Sequence, residues 1–408
     1  MLTDGEHAGQ KFIDEGALFI KNSSVKRYNI SEFDGFYISK EKNDLLKRSK
    51  LKKHDVLFTT IGNLGFSALV NNDVVNANIN QNVVRMRVNE KITSPQYLCC
   101  FLNSKITRFQ VETLFTGNIY PLLTYPKIKS IKVFIKDRKI EKKITSLLLK
   151  AEENQINALQ KISAAKKIFH DSLNVDFSKI EKKMFYSIKK SNISNEDLMT
   201  PAFYYPLYTS TAKLIAEKNK VETLEELADL ENGDEVGSIN YKGYLERKES
   251  DLPFIRTSDL INFDIDSYPD YYIEKSIYAD LNQGVKENEI LFTKDGKVGI
   301  TAFITKSDKC ILSSGMLRII PKSEKINPHY LFIALSVKEV GTYQAIQRTV
   351  VASTIPHLRE DRIQDFRIPI LINQKEIISL TESAFNLKDK RKEMINEARL
   401  LLESSLGF

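Results

Sequence analysis

The chain has 408 residues, of which 42% are hydrophobic and 28% are charged, and its formal net charge is +7 at pH 7. This length can bury the cores of two domains, and the composition is that of a soluble globular protein. No apolar stretch reaches the ~20 residues that a membrane-spanning helix needs. The N-terminus, MLTDGEHAGQ, lacks the basic and apolar regions of a signal peptide. The modest positive charge alone is weak support for a nucleic-acid partner.

The three cysteines have no spacing that would bind a metal ion. Cys99 and Cys100 are adjacent, and Cys310 is distant from both. Such sparse cysteines are typical of a reducing compartment, in which thiols stay free. The sequence therefore predicts buried thiols and a cytoplasmic protein.

A repeat with a period of 234 residues organises the chain. DVLFTTIGNLG at 55–65 is matched by EILFTKDGKVG at 289–299, and each copy places an apolar run and a threonine before a Gly-x-x-Gly turn. SPQYLCCFLNS at 94–104 is matched by NPHYLFIALSV at 327–337. This period is far too long for a solenoid. It indicates one globular domain and one long helix, used twice.

The first domain is predicted over residues 1–136. Its segments FSALV (66–70), NVVRMRV (82–88) and IKVFI (131–135) have the β-branched and aromatic content of strands. Residues 95–115 are predicted as a helix, with proline in the first turn and glycine just past the end. The domain is therefore mixed α and β, without the regular alternation that predicts a parallel sheet.

Two long helices are predicted, over residues 137–175 and 371–408. Each has apolar residues alternately three and four apart, backed by Lys and Glu, which is the pattern of a coiled-coil seam. Gln155 and Arg391 interrupt the two seams. A helix of about 34 residues is ~50 Å long, and two such helices in one chain would pack most simply as an antiparallel pair. The predicted seam residues are Ile144, Leu148, Ala151, Ala158, Ile162, Ala165 and Phe169 in the first helix, and Ile377, Leu380, Ala384, Leu387, Met394, Ala398 and Leu401 in the second.

The second domain is predicted over residues 196–370, after a linker at 176–195. Its first part, 196–230, has no counterpart in the first half of the chain, and it ends in the helix-like VETLEELADL (221–230). When the copies are aligned, Met1 falls near residue 231. The first domain thus lacks the opening segment that the second possesses.

The sequence contains no persuasive catalytic or metal site. Neither GxxxxGK[ST] nor a GxGxxG after a strand is present. NPHY at 327–330 half-resembles the Asn-Pro-Pro-Tyr loop of adenine methyltransferases but lacks the second proline, so a helix start with proline in the first turn explains it better. Asp270 with Glu274 resembles a nuclease signature that lacks its Glu-x-Lys part. The histidines have no partner at metal-ligand spacing; they are His7, His54, His170, His329 and His357.

Charged and hydrogen-bonding residues near the turns are the candidate DNA contacts. A basic run precedes the first Gly-x-x-Gly turn and could neutralise phosphates, although a solvated helix end explains it as well. The second copy is not basic there, so the two domains present different surfaces. The candidates are Lys47, Arg48, Lys50, Lys52, Lys53, Thr59, Asn63, Thr116, Asn118, Arg256, Ser258, Lys294, Lys297, Arg348 and Thr349.

Taken together, these motifs resemble type I restriction–modification specificity subunits over nearly the whole chain. The resemblance implies an α+β fold with two repeated target recognition domains, each followed by a long helix, and an antiparallel coiled coil with pseudo-twofold symmetry. It also implies a non-catalytic subunit that reads a bipartite double-stranded DNA site and scaffolds two methyltransferase subunits, with restriction subunits where present. No cofactor is expected on this chain, while S-adenosylmethionine, ATP and Mg²⁺ are expected on the partners. The abbreviated start of the first domain departs from the pattern.

Two other classes remain open. The chain could be a DNA-modifying or DNA-cleaving enzyme with an unrecognised site, which assay with DNA, Mg²⁺ and S-adenosylmethionine would reveal. It could also be a coiled-coil adaptor of another phage-defence assembly, whose domains hold protein. A DNA reader, unlike that adaptor, should lose DNA affinity steeply as salt rises.

Overall fold

A computed structural model describes residues 1–7, 9–31, 35–117, 121–180, 182–193, 198–234, 252–274, 284–351 and 355–408. The chain forms two compact units. Unit 1 contains Met1–Gln155 and Lys390–Phe408, and unit 2 contains Ile156–Asp389.

Unit 1 contains two small sheets, a hairpin and short helices. Its strands are β1 (Leu2–Asp4), β2 (Ala17–Ile20), β3 (Val25–Lys26), β4 (Asn29–Ile30), β5 (Phe36–Ile38), β6 (Val56–Thr59), β7 (Ser67–Leu69), β8 (Asn78–Ile79) and β9 (Val83–Met86). Its helices are α1 (Lys40–Leu45), α2 (Pro95–Leu102), α3 (Lys105–Leu114), α4 (Tyr125–Ser130) and the first part of α5 (Arg138–Ser172).

Strand β6 is the centre of unit 1. The four-stranded sheet has the order β1-β9-β6-β7, and a three-stranded sheet has the order β5-β2-β8. Val56 and Phe58 of β6 pack on the helical side with Leu102 and Val111, whereas Leu57 packs in the other core. Because both faces of β6 are buried, its sequence is a continuous apolar run, without the alternation of a half-exposed strand.

Unit 2 contains counterparts of most of these elements and several further ones. Its strands are β10 (Val221–Thr223), β11 (Ala228–Asn232), β12 (Leu252–Ile255), β13 (Leu260–Ile261), β14 (Asp264–Ile265), β15 (Tyr271–Ile273), β16 (Ile290–Thr293), β17 (Thr301–Phe303), β18 (Ile311–Leu312), β19 (Met316–Pro321), β20 (Val350–Val351), β21 (Pro356–His357) and β22 (Arg367–Pro369). Its helices, besides the rest of α5, are α6 (Pro206–Lys218), α7 (Leu224–Leu227), α8 (Pro328–Ser336), α9 (Tyr343–Arg348), α10 (Glu360–Gln364) and the first part of α11 (Lys375–Leu406).

The sheets of unit 2 repeat those of unit 1. The order β11-β19-β16-β17 corresponds to β1-β9-β6-β7, and β15-β12-β18 corresponds to β5-β2-β8. In both three-stranded sheets the middle strand has one antiparallel and one parallel neighbour. The predicted duplication of one mixed α/β fold is therefore confirmed.

The long helices α5 and α11 pack on each other in opposite directions. In unit 1 the first part of α5 lies beside the last part of α11, where Lys143 forms an ion pair with Glu397 (3.0 Å). In unit 2 the last part of α5 shares one core with the first part of α11, including Phe169 and Ile377. The pairing is thus antiparallel, as the sequence predicts.

The seams differ from the prediction in one helix. Every predicted seam residue of α5 is buried, and so is Gln155. In α11 the buried stripe contains Thr381, Ile395 and Leu402 in place of their predicted neighbours Leu380, Met394 and Leu401, which are half-buried. The buried residues of α11 begin with a four-residue step, as those of α5 do, whereas the sequence analysis began with a three-residue step. Polar residues such as Thr381 occupy buried positions, so the apolar pattern alone did not indicate the correct spacing.

Lys388 is the clearest of these polar seam residues. It replaces the predicted Leu387, is fully buried, and its ammonium donates a hydrogen bond to the Asn262 carbonyl (2.9 Å). The carboxylate of Asp264 lies 3.9 Å away. These contacts satisfy a charge that would otherwise be costly to bury, so the polar seam residue ties α11 to the β13–β14 hairpin of unit 2.

Two adjacent leucines test the corrected phase. Leu402→Ala should destabilise unit 1 by about 2–4 kcal/mol, because it leaves a cavity in a buried seam. Leu401→Ala, the matched control, should cost less than about 1 kcal/mol because that side chain is already half exposed. Hydrogen exchange of unit 1 amides measures both effects. Equal losses would contradict the assigned phase.

Three predictions of secondary structure from the sequence are wrong. Residues 95–115 form two helices, because Asn103 ends α2 and its side-chain amide bonds the backbone of Ser67. Residues 221–230 form a strand, one helical turn and the start of another strand. Residues 131–135 are not a strand, because unit 1 has no counterpart of β10 among its described residues to pair with them. The predicted burial of Cys99, Cys100 and Cys310 is confirmed.

Candidate nucleic-acid interface

The Gly-x-x-Gly turn follows β6 and is closed by its threonine. The Thr59 hydroxyl donates to the Asn63 carbonyl and accepts from the Phe66 amide (2.9 Å). Gly62 and Gly65 have φ angles of 74° and 79°, a region that favours glycine. The turn therefore needs both glycines and the threonine for its shape.

Unit 2 builds the same turn after β16. The Thr293 hydroxyl donates to the Lys297 carbonyl and accepts from the Ile300 amide (2.9 Å), and the Gly299 amide donates to the Thr293 carbonyl (3.0 Å). Both threonines are buried. Thr59 is thus a structural residue and not a surface for a ligand, while the turns present Asn63, which is half-buried, and Lys297, which is exposed.

Several candidates of unit 1 lie together beside the first turn. The Leu123 amide donates to the Thr60 carbonyl (3.0 Å), and Thr116, which is exposed, pairs with Leu122 through two backbone hydrogen bonds. Asn22 reaches the same place, because its side-chain amide donates to the Ile61 carbonyl (3.3 Å). Asn63, Thr116 and Asn22 therefore share one region, whereas Asn118 lies outside the described residues.

The second turn is bordered by the strand that precedes α10. The Gly296 amide donates to the Pro356 carbonyl (3.0 Å), and Asp295 forms an ion pair with His357. Lys294 donates to the Asn232 side-chain oxygen (2.5 Å). Lys294 thus stands at the start of the turn and Lys297 within it, and several backbone contacts hold that turn in place.

Arg256 and Ser258 lie close to this second turn. A Cβ placed on Gly315 would lie 3.2 Å from the Thr257 methyl and 3.4 Å from Asp295, so the two segments meet at Gly315. The Arg256 guanidinium stacks on the Tyr271 ring at 3.9 Å and forms ion pairs with Asp259 and Asp270. Ser258 is exposed.

Lys21 is the counterpart of Arg256 in unit 1, although it is not among the candidates that the sequence indicates. IKNSS at 20–24 aligns with IRTSD at 255–259, and the Lys21 ammonium lies 3.5 Å from the centre of the Phe36 ring. Both units therefore place a cation on an aromatic ring directly after the middle strand of the three-stranded sheet, which is β2 in unit 1 and β12 in unit 2. Extending the repeat alignment to this segment would have found it.

Arg348 and Thr349 are more enclosed than the sequence suggested. The Arg348 guanidinium lies over the Phe366 ring and donates to the Gln347 side chain (3.1 Å). Burial lowers the pKa of Arg348 to about 10, and Asp365 opposes that shift. The Thr349 hydroxyl donates to the Ala345 carbonyl (2.7 Å). Both side chains are thus engaged within the fold.

The basic run lies at the opposite end of β6 from the turn. Arg48 forms an ion pair with Asp4 and donates to the Gly5 carbonyl (2.8 Å), and Lys50 pairs with Asp44 (2.7 Å). Burial alone would raise the pKa of Asp4, but Arg48 and His7 hold it below its usual value. Lys50 is half-buried, and the exposed members of the run are Lys47, Arg48, Lys52 and Lys53. The structure therefore does not bring this run together with the first turn.

The motifs that half-resemble catalytic sites have structural roles. Asn327 of NPHY caps α8 by accepting a hydrogen bond from the His329 amide (2.9 Å), with Pro328 in the first turn. Within the described ranges, no group of three His, Cys, Asp or Glu could hold a metal ion. The same ranges contain no helix long and apolar enough to cross a membrane.

Comparison with known proteins gives the class of the second unit. Residues 216–397 match the family model of the type I restriction modification DNA specificity domain. A 120-residue segment is 31% identical to the specificity subunit of the type I restriction enzyme MjaVIII from Methanocaldococcus jannaschii. That alignment spans 28% of this chain and 27% of the relative.

Two solved structures resemble the chain over most of its length at low identity. The S subunit of a type I restriction-modification system from M. genitalium is 12% identical, covers 99% of this chain and 91% of its own, and has a TM-score of 0.33. The HsdS subunit from Thermoanaerobacter tengcongensis is 13% identical, covers 95% and 90%, and has a TM-score of 0.27. The family-model match confirms the resemblance to type I specificity subunits over residues 216–397.

Proposed function

We propose that this chain is the DNA-reading specificity subunit of a type I restriction–modification complex and catalyses no step itself. Units 1 and 2 each bind one half of a bipartite DNA site. The observation that carries this proposal is one fold built twice with different side chains at equivalent places. Asn63 in the first turn corresponds to Lys297 in the second, and Lys21 corresponds to Arg256. Because different side chains contact different base edges, each unit reads its own sequence.

The proposed partners are double-stranded DNA and two methyltransferase subunits, with restriction subunits where the complex cleaves. S-adenosylmethionine, ATP and Mg²⁺ belong to those partners. Helices α5 and α11 would hold the methyltransferases and fix the distance between the half-sites.

Methylation mapping tests this proposal. The chain is expressed with its methyltransferase subunit, and modified adenines are located by sequencing the host DNA. Replacing residues 196–370 with the corresponding domain of another specificity subunit should change one half-site and leave the other intact. An exchange that changes neither half-site, or both, would refute the proposal. The purified chain with DNA, Mg²⁺ and S-adenosylmethionine should show no turnover.

The second turn makes a separate prediction about phosphate contacts. Lys297→Ala should reduce the slope of log affinity against log salt by about 0.9 on a mixed-sequence DNA duplex, which corresponds to one lost phosphate contact. Lys306→Ala is the matched control, because this exposed lysine follows β17 at the end away from the turn. Anisotropy titrations over a range of salt concentrations measure both slopes. Equal slopes for the two variants would exclude the turn as a contact.

A further inference from the structure

An edge that is paired in unit 2 has no strand beside it in the described part of unit 1, and it is called the open edge below. In unit 2, β22 pairs antiparallel with β10, so that Ile368 lies opposite Glu222. The Leu224 amide donates to the Phe366 carbonyl (2.8 Å), and the Ile370 amide donates to the Lys220 carbonyl (2.8 Å). The segment 220–224 thus covers the outer edge of β22.

The equivalent segment of unit 1, residues 131–135, is held on its inner side by the same contacts. Gln110 donates to the Lys132 carbonyl (3.0 Å) and accepts from its amide (2.7 Å). Gln344 does the same with Arg367, at 3.0 and 2.8 Å. A side chain that bonds both backbone groups of one residue fixes the direction of the chain there. Residues 131–135 are therefore held in the position of a strand by contacts on their inner side.

A tyrosine adds a second matching contact. The Tyr97 hydroxyl donates to the Phe134 carbonyl (2.7 Å), and the Tyr330 hydroxyl donates to the Pro369 carbonyl (2.8 Å). Backbone groups of successive residues in an extended chain point to opposite sides. Because the groups of Lys132 face Gln110, those of Val133 face outward. No strand of the described residues pairs with them.

The open edge exposes apolar side chains that unit 2 buries. Val133 is 38% exposed and Phe134 is 50% exposed, whereas Ile368, the counterpart of Val133, is 0% exposed. Phe109 of α3 is 55% exposed, and its ring centre lies 6.1 Å from that of Phe408 at the end of the chain. Its counterpart Tyr343 packs on Tyr208 of α6, with ring centres 5.2 Å apart. These exposed side chains therefore lie at the positions that β10 and α6 cover in unit 2.

The charges around this edge indicate the chemistry of its occupant. Lys129, Lys132 and Lys136 are exposed beside it. In unit 2, residues 221–227, which form β10 and α7, carry Glu222, Glu225 and Glu226 and no basic residue, and α7 buries Leu224 and Leu227. Complementary charges around an apolar edge favour an acidic partner.

We propose that residues 131–135 of unit 1, with Phe109, bind an acidic segment of a partner polypeptide. This segment adds an antiparallel strand beside Val133 and continues in a leucine-containing helical turn, as β10 and α7 do in unit 2. Main-chain hydrogen bonds to the edge provide affinity, and the apolar side chains and lysines provide selectivity, as in other cases of strand addition. The proposal concerns a protein surface and does not rest on DNA reading.

A peptide with the sequence of residues 201–227 serves as the probe, because it is the occupant of the equivalent position. It should bind the full chain saturably in fluorescence anisotropy and slow hydrogen exchange at residues 131–135. Glu222→Pro in the peptide removes the amide that pairs with the edge and should weaken binding at least tenfold. Glu222→Gln keeps that amide and should weaken binding only about twofold while reducing its salt dependence.

Changes in the chain provide the reciprocal test. Val133→Pro should abolish peptide binding, and Val133→Thr, which keeps the amide and the β-branched shape, should retain it. The proposal is overturned if the proline peptide binds as well as the parent, or if the parent neither binds nor protects residues 131–135. Concentration-dependent protection of this segment in the chain alone would also overturn it, because the occupant would then be a second copy. DNA binding should be unchanged in all these variants.

Discussion

Replacing Arg318 with methionine will destabilise unit 2 by about 3–5 kcal/mol, because it leaves a buried carboxylate without its partner. Arg318 lies on β19 in the middle of the four-stranded sheet and is buried with Glu289. Its guanidinium donates to both Glu289 oxygens, at 2.8 and 2.7 Å, and to Glu231 at 2.6 Å. Burial would lower the pKa of Arg318, but these carboxylates raise it above its usual value.

A double variant distinguishes the loss of the pair from the loss of packing. In Arg318→Met with Glu289→Leu both charges are absent, so most of the lost stability should return. Lys322→Ala, which removes a solvent-accessible pair with Asp229 (3.3 Å) and a hydrogen bond to the Glu225 carbonyl (2.8 Å), should cost at most about 1 kcal/mol. Hydrogen exchange of unit 2 amides resolves this unit from the other, which a single unfolding curve of a two-unit chain does not. A double variant as unstable as Arg318→Met would contradict the explanation.

Unit 1 has the corresponding arginine in a different setting. Arg85 is buried and donates to the Lys50 carbonyl and the Thr3 hydroxyl, while Asp55 lies 4.0 Å away and is bonded instead by Arg87 (2.8 Å). Burial lowers the pKa of Arg85. Because Asp55 keeps Arg87 as a partner, Arg85→Met should cost less than Arg318→Met. The two units thus share a fold, but the buried arginine contributes less to the stability of unit 1 than to that of unit 2.

The sequence predicted what depends on repetition and on continuous apolar patterns. The repeat alignment identified the duplicated domain, and the seam of α5 was placed correctly because Ile144 to Phe169 are mostly apolar. The same pattern failed in α11. There Thr381 and Lys388 occupy buried positions, and their burial depends on contacts such as the Asn262 carbonyl that no local pattern contains.

Partners distant in sequence explain the other differences. IKVFI at 131–135 has a strong strand composition, but a strand forms only where another strand pairs with it, and its twin β22 has β10. Thr59 was assigned to DNA because it is polar and adjoins a turn, yet its hydroxyl closes that turn. The role of each side chain at these turns therefore depends on folded contacts that the residue types alone do not indicate.

Lengthening both long helices by one heptad is expected to change DNA recognition most strongly. Duplicating residues 149–155 of α5 and 383–389 of α11 inserts seven residues where each helix passes from one unit to the other. Seven residues preserve the alternation of four and three that both buried stripes follow. They add about 10 Å of helix at 1.5 Å per residue. The antiparallel pair should stay intact because both helices gain the same length.

If these helices fix the distance between two half-sites, the original DNA site no longer fits both units. Loss of simultaneous binding should reduce affinity for that site by about 10²–10⁴-fold, the usual gain from two linked contacts. The half-site sequences should stay the same. One turn of duplex is ~34 Å long and contains about ten base pairs, so ~10 Å corresponds to about three base pairs. Affinity should therefore return on DNA whose spacer is longer by up to about three base pairs. Binding to a series of spacer lengths, with hydrogen exchange to confirm that both units are folded, measures this shift.

A variant with the heptad in α5 alone is the control, since mismatched seams should lower stability. Unchanged spacer preference in the double insertion would show that the helices do not set the distance.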